Sequence, residues 1–342
     1  MKLIFALGHP AHFHLLYPSM KLLKDTHEIK VLISDKDILK QLLINNEIDF
    51  EVISYKFPNE SLLKKGLKLV FSSFKLFEIV AKFKPHLIIG SIVQPAFVGF
   101  LMRIPYVFTA EDDIHYTSLQ GYITYPFTKC ILSPIVTNLG IFSSKKIAYH
   151  GYQKLAYLHP NRFTPNPDLI PEIDTTENYT IIRLVDLSAY HDVNAKGIHR
   201  SFLKVLIEKL TKTGKVYISS EKKIPEEFLP YALPIKIQYM HHALAFANLF
   251  IGDSQSMSVE AAVLGVPALK YNDFKGKISV LNELEHAYGL TFGFSTSQSV
   301  QLIAKIDELL ATKNLKHELQ LRRSKMLSEK IDVTAFFVWF IE

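Results

Sequence analysis

The chain has 342 residues, 48% of them hydrophobic and 21% charged, which is enough apolar side chain for two ordinary domains and excludes a disordered chain. A lone cysteine, Cys130, excludes an intramolecular disulfide and makes a cysteine-based metal site implausible. The net charge of +6 suits phosphate-bearing ligands or an anionic membrane surface, and no motif accompanies it that would mark a nucleic-acid partner.

The opening MKLIFALGHP is too short an apolar run for a secretory leader and reads as a first strand, Lys2–Leu7. No stretch reaches the ~20 apolar residues that span a bilayer, so the expected location is the cytoplasm. Gly8–His12 reads as a loop and a helix follows from about Phe13 to Leu23, with Leu15, Leu16, Met20, Leu22 and Leu23 apolar. A strand at 27–34, a helix at 35–45 capped by Asp35 and a strand at 50–53 continue the alternation, which predicts a parallel, doubly wound sheet.

Ser61–Phe83 reads as a long helix with Leu63, Leu67, Val70, Phe74, Phe77 and Val80 at core-type spacing. Seven lysines stand against two glutamates between 56 and 84. The helix therefore either packs with a solvated lysine face or lies on an anionic membrane surface. Strands are expected at 86–90 and 104–108 around a short helix from Pro95 to Met102. An aromatic, partly helical stretch at 116–133 and a last short strand at 135–138 follow.

The proline-rich run from Tyr149 to Pro167 sets a domain boundary near 165, giving domains at 1–165 and 166–330. In the second, strands at 179–184, 216–219 and 235–237 alternate with helices at 198–211, 225–231 and 241–247. Helices close the chain at 300–310 and 315–330, followed by the apolar DVTAFFVWFI.

The whole is organised around Leu249–Leu269, LFIGDSQSMSVEAAVLGVPAL. An apolar strand, a small polar turn and a helix from about Met257 to Leu264 are followed by Gly265 and Pro267, which end the helix and bar its return. Such a turn at the carboxyl end of a strand is where open α/β sheets bind ligands, and the helix start there favours an anion. Asp253, Ser254, Gln255, Ser256 and Met257 line it, and Glu260 follows Ser256 by one helical turn. The stretch is either an ordinary capped strand-turn-helix or a sugar-nucleotide site, with diphosphate on the helix start and ribose hydroxyls on Glu260.

Other side chains that could carry chemistry cluster after strands. His9, His12 and His14 share the first loop, with no carboxylate or cysteine nearby to support a metal. A neutral histidine is a natural general base, and His12, which opens the helix, suits that role better than His9, which precedes a proline. Glu111, Asp112 and Asp113 follow a strand, where they either cap a helix or serve as base and sugar-hydroxyl acceptors. Arg183 sits inside IIRLV and is either paired with a carboxylate such as Asp186 or clamps a diphosphate. His191 and Asp192 can pair, and Glu221 ends another strand beside Lys222 and Lys223. Of His241 and His242, one is expected to face the site. Dinucleotide, Walker A and Gly-x-Ser-x-Gly motifs do not occur, which weighs against a dehydrogenase, an NTPase or an α/β-hydrolase.

GDSQSMSVEAAVLGVPAL resembles the helix-start signature of GT-B glycosyltransferases and of non-hydrolysing UDP-N-acetylglucosamine 2-epimerases. Together with GHPAHFHLLYPSMKLLKDTHEIKVLIS, YHGYQKLAYL, RLVDLSAYHDVNAKGI and the tail, it identifies the chain as a member of the GT-B-like family numbered 354 among domains of unknown function. The resemblance implies an α/β fold of two facing Rossmann-like domains with parallel sheets. Its terminal helix, 331–342, crosses back to the first domain, which the apolar tail suits. It also places the loop of His9, His12 and His14 on the acceptor side, Glu221 near the base of a nucleotide, and Arg183, His191 and Asp192 in a diagnostic pattern. Neither a metal nor a separate cofactor is implied, the nucleotide-sugar being substrate.

The expected function is transfer of a sugar from a nucleotide-sugar, UDP-linked, to a surface polysaccharide or glycolipid acceptor. His12, Glu111 or Asp112 would handle the acceptor proton, while Arg183, the Asp253–Met257 turn, Glu260, His241 and Glu221 bind the donor. One alternative is a non-hydrolysing UDP-sugar 2-epimerase, with Glu111 and Asp112 moving the proton. Another is a non-catalytic nucleotide-sugar or glycan binder. If 61–83 docks on lipid, the protein is peripheral to the inner face of the membrane.

Overall fold

The alternating apolar runs close into two all-parallel sheets, each with its own core. The structure is a computed structural model and describes residues 1–34, 37–54, 62–185, 197–221 and 223–342. Two compact units result: Met1–Tyr157 with Ile331–Glu342, and Leu158–Lys330.

Unit 1 contains β1 (Lys2–Leu7), α1 (Pro10–Leu23), β2 (Glu28–Ser34), α2 (Asp37–Asn45), β3 (Phe50–Ser54), α3 (Leu62–Phe83) and β4 (Leu87–Gly90). It continues through α4 (Gln94–Met102), β5 (Tyr106–Thr109), α5 (Ser118–Thr124), β6 (Cys130–Pro134) and β7 (Lys146–Tyr149), and α6 (Leu155–Leu158) leads out of it. Its seven strands lie in the order β3-β2-β1-β4-β5-β6-β7. Chain order reverses between β1 and β4, so the crevice outside the carboxyl ends of those two strands is the unit's switch point.

Unit 2 contains β8 (Tyr179–Leu184), α7 (Arg200–Leu210), β9 (Lys215–Ser220), α8 (Met240–Phe246), β10 (Leu249–Gly252), α9 (Gln255–Val263) and β11 (Ala268–Tyr271). After these come α10 (Ser279–His286), β12 (Thr291–Phe294), α11 (Ser299–Ala311) and α12 (Leu315–Glu329). The order β12-β11-β10-β8-β9 puts the switch point between β8 and β10. Leu249–Gly252 and Ala268–Tyr271 are buried throughout, as strands covered on both faces must be.

The terminal helix α13 (Val333–Ile341) belongs to unit 1, where it packs on α1. Phe336 and Phe337 lie against the Tyr149 ring, and Thr334 Oγ1 donates to the Ala156 carbonyl at 2.6 Å. Val333, Phe337 and Ile341 are buried there, while Trp339 stays exposed, so this packing accounts for part of the tail's hydrophobicity.

Several expected elements differ. The first helix begins at Pro10 rather than Phe13, because proline fits the first helical turn and His9 caps it. Residues 135–138 form a turn: the sheet continues instead in β7, and Thr137 N–H closes back on the Pro134 carbonyl. Residues 235–237 are not a strand. Only Ala232 bridges Ile218 of β9, and Pro234 lacks the N–H that would extend the ladder. The expected Asp35 cap lies outside the described residues. Among the described residues, no helix is long and apolar enough to cross a membrane.

Candidate functional sites at the two switch points

In unit 2, β10 delivers the chain to α9 at the switch point. Ser254 caps the helix, its Oγ accepting the Met257 N–H at 3.3 Å, while Ser258 Oγ donates to the Ser254 carbonyl at 2.7 Å. Met257 is buried, whereas Gln255 and Ser256, at the first helical turn, are half-exposed. The helix start thus presents backbone N–H groups and a positive dipole end at a partly open turn, which suits an anion. At the other end Gly265, at φ +80°, adopts the left-handed conformation that stops the helix. Its N–H and that of Val266 close on the carbonyls of Ala262 and Ala261.

Strand register brings cations to this turn. Gly252 pairs with Arg183 of β8 on one side and Lys270 of β11 on the other. Arg183 Nη1 donates to Ser219 Oγ and Nη2 to Glu221 Oε1, both at 2.7 Å. Two of the five guanidinium donors are thereby used to fix the fork. The buried Nε has no partner among the described residues. The carboxylate partner of Arg183 is therefore Glu221. Asp186, His191 and Asp192 lie outside the described residues.

Asp253 holds strand ends together. Its Oδ1 accepts the Val185 N–H at 2.8 Å, and its backbone carbonyl accepts from Asn272 Nδ2 at 2.8 Å. A Cβ at position 197 would overlap the Asp253 carboxylate, so glycine is what lets the chain entering α7 approach it. Burial pushes the Asp253 carboxyl up to about 6, against backbone N–H bonds and Arg183, which pull it down. Its buried place makes it a brace beneath the turn rather than an exposed contact.

Glu260 is buried one turn inside α9. His241 of α8 brings Nε2 to 3.5 Å from Glu260 Oε1. The adjacent histidine is used differently: His242 Nδ1 accepts the Asn166 N–H at 3.0 Å and its ring lies 4.8 Å from that of Phe163. Burial first, then His241, lowers the pKa of His242. The pair thus divides into one histidine on the Glu260 carboxylate and one that fastens the chain.

In unit 1 the loop after β1 occupies the switch point beside β4. His9 caps α1, with Nδ1 accepting the Ala11 N–H at 3.1 Å, and His12 Nδ1 accepts the Gly8 N–H at 3.1 Å. A backbone N–H can only donate, so both neutral rings carry their proton on Nε2. This changes the role expected for His12: with Nε2 protonated, the neutral ring donates a hydrogen bond instead of taking a proton. His14 lies between aromatic rings, 5.6 Å from Phe13 and 5.3 Å from Tyr157.

The acidic run after β5 divides as well. Glu111 accepts from Gln153 N–H at 2.6 Å and from Lys154 Nζ at 2.5 Å, and the two side chains are only 10% and 6% exposed. Both its oxygens are engaged and its charge is compensated, so Glu111 is poorly placed to serve as a base. Asp113 is buried and accepts the Asn138 N–H at 2.5 Å. Asp112 is half-buried, and its charge helps raise the pKa of the Tyr125 phenol, behind the burial of that ring.

Sequence reasoning missed two lysines. Lys154 and Lys270 are both buried, each set in an apolar run, KLAYL and ALKY. A cation in such a run signals a buried acidic or anionic partner. Among the described residues, no cluster of three or more histidine, cysteine or acidic side chains could hold a metal.

Solved structures share this fold at low identity. The UDP-GlcNAc 2-epimerase from Neisseria meningitidis bound to UDP-GlcNAc is similar at a TM-score of 0.71 and 16% identity, covering 100% of this chain and 99% of that one. The spinosyn rhamnosyltransferase SpnG complexed with spinosyn aglycone gives 0.64 and 14%, covering 100% of both chains. MurG from Acinetobacter baumannii gives 0.61 and 13%, covering 100% and 99%. The fold is therefore that of the GT-B type. No curated protein matches the sequence. The model of the family described as "Protein of unknown function (DUF354)" matches residues 9–280, and the chain belongs to that family.

Proposed function

We propose that the protein is a glycosyltransferase that takes a sugar from a UDP-linked donor and passes it to a hydroxyl of a glycan or lipid-linked acceptor. The observation that carries this reading is the turn at the β8/β10 switch point. There Ser254 caps the start of α9, Arg183 pairs in register with Gly252, and Glu260 lies buried just over one turn further along the helix. The diphosphate would lie on the N–H groups of Gln255 and Ser256 with Arg183 beside it, and the ribose hydroxyls would donate to Glu260. As the sugar leaves, charge grows on the diphosphate, and donors already aimed there stabilise the transition state more than the ground state. In unit 1 we assign the acceptor proton to Asp112, half-buried just after β5 at the carboxyl end of the sheet, with His12 Nε2–H donating to an acceptor oxygen. Structural likeness to UDP-sugar enzymes supports the donor class.

The 2-epimerase reading has a specific observation against it, since one of the two carboxylates it needs, Glu111, is held by Lys154. Two measurements test the choice. UDP at ~100 times its dissociation constant should stabilise the protein by ~2.7 kcal/mol. UDP-N-acetylglucosamine incubated alone should stay unchanged by NMR, with UDP released only when a hydroxyl acceptor is supplied. A 2-epimer appearing without acceptor would overturn the transferase reading.

A further inference from the structure

We infer that the outer face of α3 and α4 in unit 1 docks on an anionic lipid bilayer. Leu76, Val80 and Phe83 turn inward from α3, and Ser72 is tied to Gln94 at the start of α4. On the outside, Phe71 (71% exposed), Phe74 (67%) and Phe77 (44%) follow one another at helical spacing, and α4 adds Phe100 (61%) and Leu101 (73%). Both helices run back against parallel strands and pack along each other, so these side chains belong to one surface layer. Single exposed leucines need no explanation, but a continuous aromatic face does. Among the described residues of unit 2, no phenylalanine, tyrosine or tryptophan is exposed.

Charge selects the partner. From 61 to 110 there are seven basic residues and one acid, Glu78, whereas the rest of unit 1 has eleven basic residues against thirteen acids. The positive excess of the unit is therefore confined to the segment that carries the phenylalanines. Exposed Lys75 and Lys82 share their helix, and Arg103 caps α4. Phenylalanines flanked by lysine and arginine match the boundary of acyl chains and anionic headgroups. A second copy of the chain matches less well, because a two-fold interface would set this positive patch against itself. The inference does not depend on the nucleotide reading.

Co-sedimentation with phosphatidylglycerol-containing vesicles, against vesicles of phosphatidylcholine alone, tests it on the full chain. Binding to the anionic vesicles is expected at low salt, with release at high salt. The triple variant Phe71→Ser, Phe74→Ser, Phe77→Ser and the charge reversal Lys82→Glu with Arg103→Glu should each weaken partitioning about tenfold or more. Their melting curves should match wild type, since all five side chains face solvent. Equal, negligible binding to both vesicles would overturn the inference. So would a soluble dimer that the phenylalanine variant dissociates, which would make this face a contact between copies.

Discussion

Glu111 in unit 1 and Glu260 in unit 2 are both carboxylates placed near the carboxyl end of a parallel sheet, and they are held in opposite ways. Glu111 faces a lysine and a backbone N–H, one bonded to each of its oxygens. Glu260 faces a histidine, whose charge depends on its protonation. A lysine partner turns a carboxylate into a fastener between β5 and the segment after β7. The histidine instead links the carboxylate of α9 to α8. The same contrast recurs in the histidines, where His242 fastens a loop while its neighbour His241 reaches Glu260.

The largest expected effect comes from breaking the fastener. Lys154→Met strands a buried negative charge and should destabilise the protein by about 3–5 kcal/mol in urea unfolding. Adding Glu111→Gln should recover most of that loss. His241→Ala, on the other carboxylate, should cost under about 1.5 kcal/mol. Equal losses at the two sites would remove the distinction between them.

The next effect sharpens the account of the turn itself. Burial raises the Asp253 carboxyl from 3.8 to about 6 in the folded protein. Folding then favours the protonated form, so this group's contribution is fully present below about pH 4 and is lost as pH rises through about 6. Between those limits the folded state binds more protons than the unfolded state. Asp253→Asn should therefore show a flatter stability profile, the difference from wild type changing by up to about 3 kcal/mol across the window. Parallel profiles would mean that Asp253 is not the buried brace described.

The smallest effect concerns the cap. Ser254→Ala should cost about 1 kcal/mol and Ser254→Gly only a few tenths, by thermal unfolding. Identical costs would show that the Ser254 hydroxyl does not hold the Met257 N–H.

Much of the fold was legible because strands buried on both faces are written as short apolar runs, such as LFIG and KLIFAL. The helix-ending role of Gly265 was legible for a similar reason, since only a residue tolerant of positive φ fits there. The β7 strand, KIAY, was not, because its burial is partial and its pattern short. In the site, Arg183 could be read as a charge inside an apolar run, and Glu260 from its place one helical turn after Ser256. Their partners could not. Lys154 lies 43 residues from Glu111, and no local pattern links residues that tertiary folding brings together. Tautomers were equally hidden, because the Gly8 N–H that fixes His12 is set by the backbone and not by a side-chain type.

The donor site proposed for this protein is the Glu260 turn. Calorimetric titration with UDP of wild type, Glu260→Gln and the double variant Glu111→Gln with Lys154→Met tests it most directly. Two vicinal hydroxyls on one carboxylate contribute charge-assisted bonds of ~1.5–3 kcal/mol each, and ~1.4 kcal/mol is tenfold in affinity. Glu260→Gln should thus weaken UDP by about ten- to a hundredfold, with little change for a 2′,3′-dideoxy nucleotide, while the double variant binds UDP within a few-fold of wild type. Wild-type affinity in Glu260→Gln, or an equal loss in the double variant, would contradict the account.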